Sequence, residues 1–186
     1  MSDIKQNLDK IKQRISDDNF LNNKGLSNEV GIHVFCYDPA DEIIVRNYIE
    51  ILVNTNNDKF HVVEKDLYKI FLEVLADMGV FDSIDGMEEE SGKEYLLERL
   101  HDIADVESFM ERIDYKPREQ GRDVLFLTGV GKVYPFMRAH IILNKIQEIV
   151  SDIPIVLFYP GEYNGQNMTL FNDFFDGHYY RACNLL

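Results

Sequence analysis

The sequence predicts a three-layer α/β sandwich around a mostly parallel sheet of about four or five strands. Two uninterrupted apolar runs, VLFL at 124–127 and IVLFY at 155–159, read as strands covered on both faces, because a strand with one solvated face alternates. Long helical patterns separate the strand candidates, which requires parallel pairing through crossover helices. Both runs end in glycine-bearing turns, TGVGK at 128–132 and PGEYNG at 160–165, and turns after parallel strands are where such domains place binding surfaces. The expected topology is Rossmann-like or P-loop-like.

From the N-terminus, Ile4, Leu8, Ile11 and Ile15 stand at helical spacing among charges, predicting a short amphipathic helix that docks on the body or on a partner. With its linker it occupies residues 1–28, and a single α/β domain fills residues 29–186. The run GIHVFCY at 31–37 is a strand candidate, followed by Asp38 as an N-cap and Pro39 at the first helical position. A helix should then run to about Val53. A weaker strand is expected at 60–63.

Leu67, Ile70, Phe71, Val74, Leu75 and Met78 form the clearest amphipathic helix of the chain. The acidic stretch DSIDGMEEESG at 82–92 reads as a solvated loop. One helix or two short ones should follow over 93–113, and a buried helix is expected over 133–150.

Composition narrows the function classes. At 186 residues and 45% hydrophobic content the chain closes one good core. Its formal net charge is −14, and residues 1–120 hold 27 Asp and Glu against 14 Lys and Arg. Such a field repels phosphate backbones and anionic lipid, so neither nucleic acid nor membrane is an expected partner. The N-terminal MSDIKQNLDKIKQRI has no apolar signal core, and a cytoplasmic location is expected. Cys36 and Cys183 lie in apolar stretches without metal-ligand spacing, as reduced buried thiols would.

No catalytic set assembles from these motifs, and the chain is expected not to be an enzyme. Gly129, Gly131 and Lys132 invite comparison with a phosphate-binding loop. A Walker A motif, however, would need glycine where Phe126 stands and Ser or Thr where Val133 stands, and the dinucleotide fingerprint would need glycine at Tyr134. A tight strand-to-helix turn is the favoured reading, with phosphate binding at Gly129, Gly131 and Lys132 the alternative. Glu162 on the second turn and Asp38 are lone carboxylates, apt for solvation, capping or ion pairing. Arg138 and His140, two apart on a helix, make a poor catalytic pair. No two of the five histidines stand at i+3 or i+4, so neither metal nor cofactor is expected.

Three segments carry a resemblance: 127–135 (LTGVGKVYP), 158–163 (FYPGEY) and 179–182 (YYRA), with 35–42 (FCYDPADE) in support. They resemble the BrxB family, the small B component of BREX bacteriophage-exclusion systems, over about residues 30–186. One departure is Tyr159, which stands between Phe158 and Pro160. The resemblance implies a role in phage defence beside a large ATPase, an adenine-specific methyltransferase and an alkaline-phosphatase-like protein. It implies no established catalytic activity.

An adaptor that binds another BREX protein is therefore expected, with the alkaline-phosphatase-like component as first candidate and the methyltransferase or large ATPase next. The candidate contact residues are Asp38, Glu42, Tyr134, Arg138, Glu162, Tyr163, Tyr179, Tyr180 and Arg181, since large aromatic and arginine side chains dominate interface hot spots.

Overall fold

The computed structural model describes residues 3–24, 31–178, 180 and 182–186. Helices α1 (Asp3–Arg14) and α2 (Asp18–Leu21) precede strand β1 (Ile32–Tyr37), and helix α3 (Glu42–Val53) returns the chain to β2 (His61–Asp66). Then come α4 (Leu67–Asp77), α5 (Ile84–Ile103) and α6 (Val106–Ile113), followed by β3 (Asp123–Thr128). Two further helices, α7 (Val130–Val133) and α8 (Ala139–Ile146), lead to β4 (Ile155–Tyr163). Three short strands follow: β5 (Met168–Leu170), β6 (Phe174–Asp176) and β7 (Cys183–Asn184).

The parallel path runs β2-β3-β4-β1-β7, and β5 and β6 extend it antiparallel from the far end of β4. Side chains alternate across it with the period of two that a pleated strand imposes. Ile32, Val34, Leu125, Leu127, Ile155 and Leu157 enter a core shared with α4 to α8. Phe35, Val124, Phe126, Val156 and Phe158 face the other way, into a core shared with α1 to α3. Two separate apolar faces explain why the central strands read as unbroken hydrophobic runs, and they produce the predicted three layers.

The N-terminal helix lies in this second core through Ile4, Leu8, Ile11 and Ile15, all buried. Most of the linker, residues 25–30, lies outside the described residues. Asp38 caps as expected, accepting from the backbone N–H of Ala40 at 2.9 Å ahead of a 3-10 turn.

Four expectations are corrected. The acidic stretch at 82–92 is mostly helical and belongs to α5, which kinks at Gly92 (φ 82°); glutamates are good helix formers, and charge requires only a solvated face. Met78 is exposed, because α4 ends at Asp77. The helix expected over 133–150 is broken: Tyr134 is extended (ψ 136°), as a residue before proline prefers, and α8 begins only at Ala139. Finally, the turn at 159–165 is in large part a strand, since β4 continues through Pro160 and Gly161 to Tyr163.

Gly161 makes that continuation possible. Its φ is 153°, and a Cβ there would fall 2.0 Å from the carbonyl oxygen of Thr169 on β5. Only glycine lets the two backbones close into the antiparallel extension.

Candidate functional site

The carboxyl ends of β1, β2 and β3 open onto a cleft of about 450 Å³ lined by Tyr37, Glu42, Arg46, Glu64, Asp66, Lys69, Thr128, Gly129 and Lys132. Tyr37 donates its hydroxyl to Glu42 at 2.6 Å, and Thr128 donates to Glu64 at 2.7 Å. Burial and the Glu42 carboxylate both push the Tyr37 phenol upward, so it stays protonated.

The glycine turn is shaped around a carboxylate that belongs to the protein. Asp66 caps α4 by accepting from the backbone N–H groups of Tyr68 (2.9 Å) and Lys69 (3.3 Å). Gly129, left-handed at φ 74°, lets it in: a Cβ there would lie 2.1 Å from the Asp66 carboxylate. Lys132 then stands 3.7 Å from the same group. The Asp66 carboxylate thus sits against the glycine turn and beside Lys132, with Glu64 alongside, and this negative charge works against an added anion.

Asp38 and Glu162 border a second, open groove with Cys36, Gly161 and Tyr163. Glu162 and Asp38 are exposed. The Cys36 thiol is pushed up to about 12, by burial first and by the Glu162 charge second, which leaves it a poor nucleophile at neutral pH. The expected contact residue Tyr163 points inward: its hydroxyl donates to the backbone carbonyls of Ala182 at 2.8 Å and Tyr180 at 3.3 Å.

One polar cluster was not visible in the motif spacing. Asp176, at the end of β6, accepts from the Tyr180 hydroxyl at 2.6 Å and meets Nδ1 of His140 at 3.0 Å. Nδ1 of His178 contacts its other oxygen. The two imidazoles stack with centroids 3.8 Å apart and planes 13° apart. Burial raises the Asp176 carboxyl, but the hydrogen bonds from Tyr180, His178 and His140 outweigh it and hold the group at about 2. Tyr180, a candidate contact residue, is buried at 2% exposure, and its phenol is pushed upward by burial and by Asp176.

Asp176 also lines a cavity of about 280 Å³ together with Tyr134, Arg138, Tyr159, Phe174 and Phe175. Arg138 is exposed there, and the ring of Tyr134 lies 5.5 Å from that of Phe174. Of the other two candidates in the terminal motif, Tyr179 and Arg181 lie outside the described residues. What sequence reasoning missed is the pairing of His140 with Asp176 and His178, thirty-six and more residues downstream. The short spacing of Asp176, His178 and Tyr180 was its one local trace.

The family model described as BREX protein BrxB matches residues 63–185. The chain belongs to the BrxB family. A BREX protein BrxB from Bacillus cereus (strain H3081.97) is 38% identical over 190 residues, covering 100% of this chain and 99% of that one. Another, from Escherichia coli O9:H4 (strain HS), is 28% identical over 183 residues, covering 98% and 92%. No solved structure matches the chain.

This BrxB-family chain is accordingly a BREX component. The segment matched by the family model contains Gly129, Tyr134, Arg138, the whole β4–β6 extension and the His140 cluster, whereas Asp38 and Glu42 precede it. No helix among the described residues is long and apolar enough to cross a membrane.

Proposed function

We propose that this BREX component is an adaptor without chemistry of its own, docking on another BREX protein, with the alkaline-phosphatase-like component the first candidate. The observation that carries this reading is the aromatic tip of the β5–β6 hairpin. Phe171, Phe174 and Phe175 are 37%, 49% and 67% exposed, at the end of an extension that, among the described residues, pairs with the rest of the sheet through β4 alone. Exposed aromatic side chains cost solvation free energy unless a partner covers them, and clustered ones mark interaction sites. Arg138 and Tyr134 at the adjacent cavity supply the residue types that dominate binding energy at interfaces.

A net charge of −14 favours a partner with a basic face, mainly through faster and more selective encounter. The absence of nucleophile chemistry at Cys36 and the internal use of Lys132 and Tyr163 are consistent with a docking role.

The test is co-expression with each of the other BREX components followed by size-exclusion chromatography, for the natural chain and for a Phe174→Ser/Phe175→Ser variant. Both side chains are exposed, so the variant should melt as the parent does. Co-elution with the alkaline-phosphatase-like component, lost in the variant, is the expected result. The reading fails if the chain co-elutes with none of them, or if complexes form equally well without the phenylalanines.

A further inference from the structure

We propose that His140, Asp176 and His178 form a binding site for a divalent transition-metal ion, zinc first, that fastens the C-terminal segment to α8. One ligand atom from each residue can be chosen so that all lie within 4.8 Å of one another. A tetrahedral shell with bonds of ~2.0–2.2 Å places its ligand atoms ~3.4 Å apart, so side-chain shifts of about an ångström, with the two stacked rings tilting until both planes pass through the ion, close the set. His140 sits on α8, Asp176 ends β6 and His178 follows two residues later. The backbone thus presents three ligands from two separate parts of the fold.

Two imidazoles and one carboxylate suit zinc and its neighbours, while magnesium and calcium prefer all-oxygen shells. Three protein ligands leave a fourth tetrahedral position for water. The side chains of His140 and Asp176 are 13% and 17% exposed, whereas that of His178 is 55% exposed, giving the ion a way in. Tyr180 acts as a positioning residue: its hydroxyl binds Asp176 and fixes the carboxylate, as outer-shell donors do for metal ligands. In the metal-free protein the carboxylate bridges the two Nδ1 atoms through protons. An ion takes their place as each Nδ1 proton leaves to solvent or to Nε2, so that both rings ligate through Nδ1.

The experiment titrates the metal-stripped full chain with zinc or cobalt(II), using magnesium as the hard-cation control, by calorimetry and thermal melting. We expect one equivalent to bind with Kd of about 10 µM or tighter. The melting point should rise by ~5–10 °C at a hundredfold excess over Kd, and cobalt should show the visible bands of a four-coordinate complex. His178→Ala should weaken binding at least ~30-fold while leaving the metal-free melt within ~2 °C, and Tyr180→Phe should weaken it ~10-fold. His101→Ala, remote in sequence from the cluster, should bind as the parent does. Absence of a stoichiometric event below ~100 µM zinc, or full affinity in His178→Ala, overturns the site. His140→Ala adds a second disruption, but the exposed His178 decides the matter even if His140→Ala does not fold.

Discussion

Tyr180→Phe separates a strut of the fold from a contact surface. The phenol is buried, its oxygen lies 2.6 Å from Asp176 Oδ2, and its ring packs in the core beneath α8. Removing the hydroxyl deletes one charge-assisted hydrogen bond, worth ~1.5–3 kcal/mol. Asp176 is only partly buried and keeps His140 and His178 as partners, so the lower end applies, about 1.5 kcal/mol. For a domain of this size that is a fall of ~3–6 °C in Tm. Tyr180→Ala removes the ring as well and leaves a cavity, costing ~3–5 kcal/mol, or ~6–20 °C. Thermal melts followed by circular dichroism, paired with urea titrations to check that m is unchanged, measure both. A Tyr180→Phe melt within ~1 °C of the parent, or an alanine variant no worse than the phenylalanine one, would show that this side chain does not carry the load assigned to it.

Gly161→Ala should cost about 3 kcal/mol or more, since its Cβ would fall 2.0 Å from the Thr169 carbonyl oxygen; hydrogen exchange should then quicken first in β5 and β6, and unchanged protection there would count against the assigned role. Asp105 caps α6 by accepting from the N–H and hydroxyl of Ser108 at 2.9 and 2.6 Å, so Asp105→Ala should lose ~1 kcal/mol at pH 7 in a urea melt. The Ser108 hydrogen bond holds the Asp105 carboxyl below its usual range, so this stabilisation is present above about pH 4 and is lost as the pH falls through the lowered folded value; a gap between parent and variant that survives strong acid would contradict the capping role. Cys36, pushed up to about 12, should react with a thiol reagent at pH 8 at least ~10-fold more slowly than a free cysteine, read by mass spectrometry on the intact chain. Millimolar ATP or phosphate should move Tm by less than ~1 °C, because the Asp66 carboxylate already lies against Gly129 and Lys132; a shift of several degrees would restore the phosphate-binding reading.

Much of the layering was legible because it rests on local pattern. A strand buried on both faces has no polar side to show, so 124–127 and 155–159 declared themselves, and Asp38 with Pro39 marked a helix start by capping chemistry alone. Some errors were local, at 82–92 where charge reads as a loop and at Tyr134 before Pro135; the others fell where a distant contact decides the local conformation. Gly161 looks like a turn residue from sequence, because nothing nearby reveals that β5 will approach its Cα. The tight-turn reading of Gly129 stands, but the carboxylate that Gly129 admits, Asp66, lies more than sixty positions earlier and gives no local sign. The histidine cluster was hidden for the same reason: metal-ligand spacing rules find ligands on one element, and His140 is far in sequence from Asp176 and His178.

The segments that carry the family resemblance are neighbours in space, which explains why they occur together. Tyr163, at the end of the 158–163 segment, donates to carbonyls within 179–182, and Tyr134, from the 127–135 segment, lies against Phe174 of the hairpin between the other two. Gly131 allows the same hairpin to lean inward, since a Cβ there would lie 2.7 Å from the Phe171 ring. These residues therefore divide by what they touch. Gly131, Gly161, Tyr163 and Tyr180 hold one surface in shape from within, so their substitution should register in stability. Arg138, Phe174 and Phe175 are displayed by that surface, so their substitution should register in association with little change in melting. A displayed aromatic group is solvated at a cost in the free chain, and only a covering partner recovers it. In the proposed docking, the buried support beneath reduces the conformational entropy lost when a partner binds. The internal struts and the exposed tip are thus two halves of one arrangement, in which glycine geometry and buried tyrosines prepare the surface that the phenylalanines present.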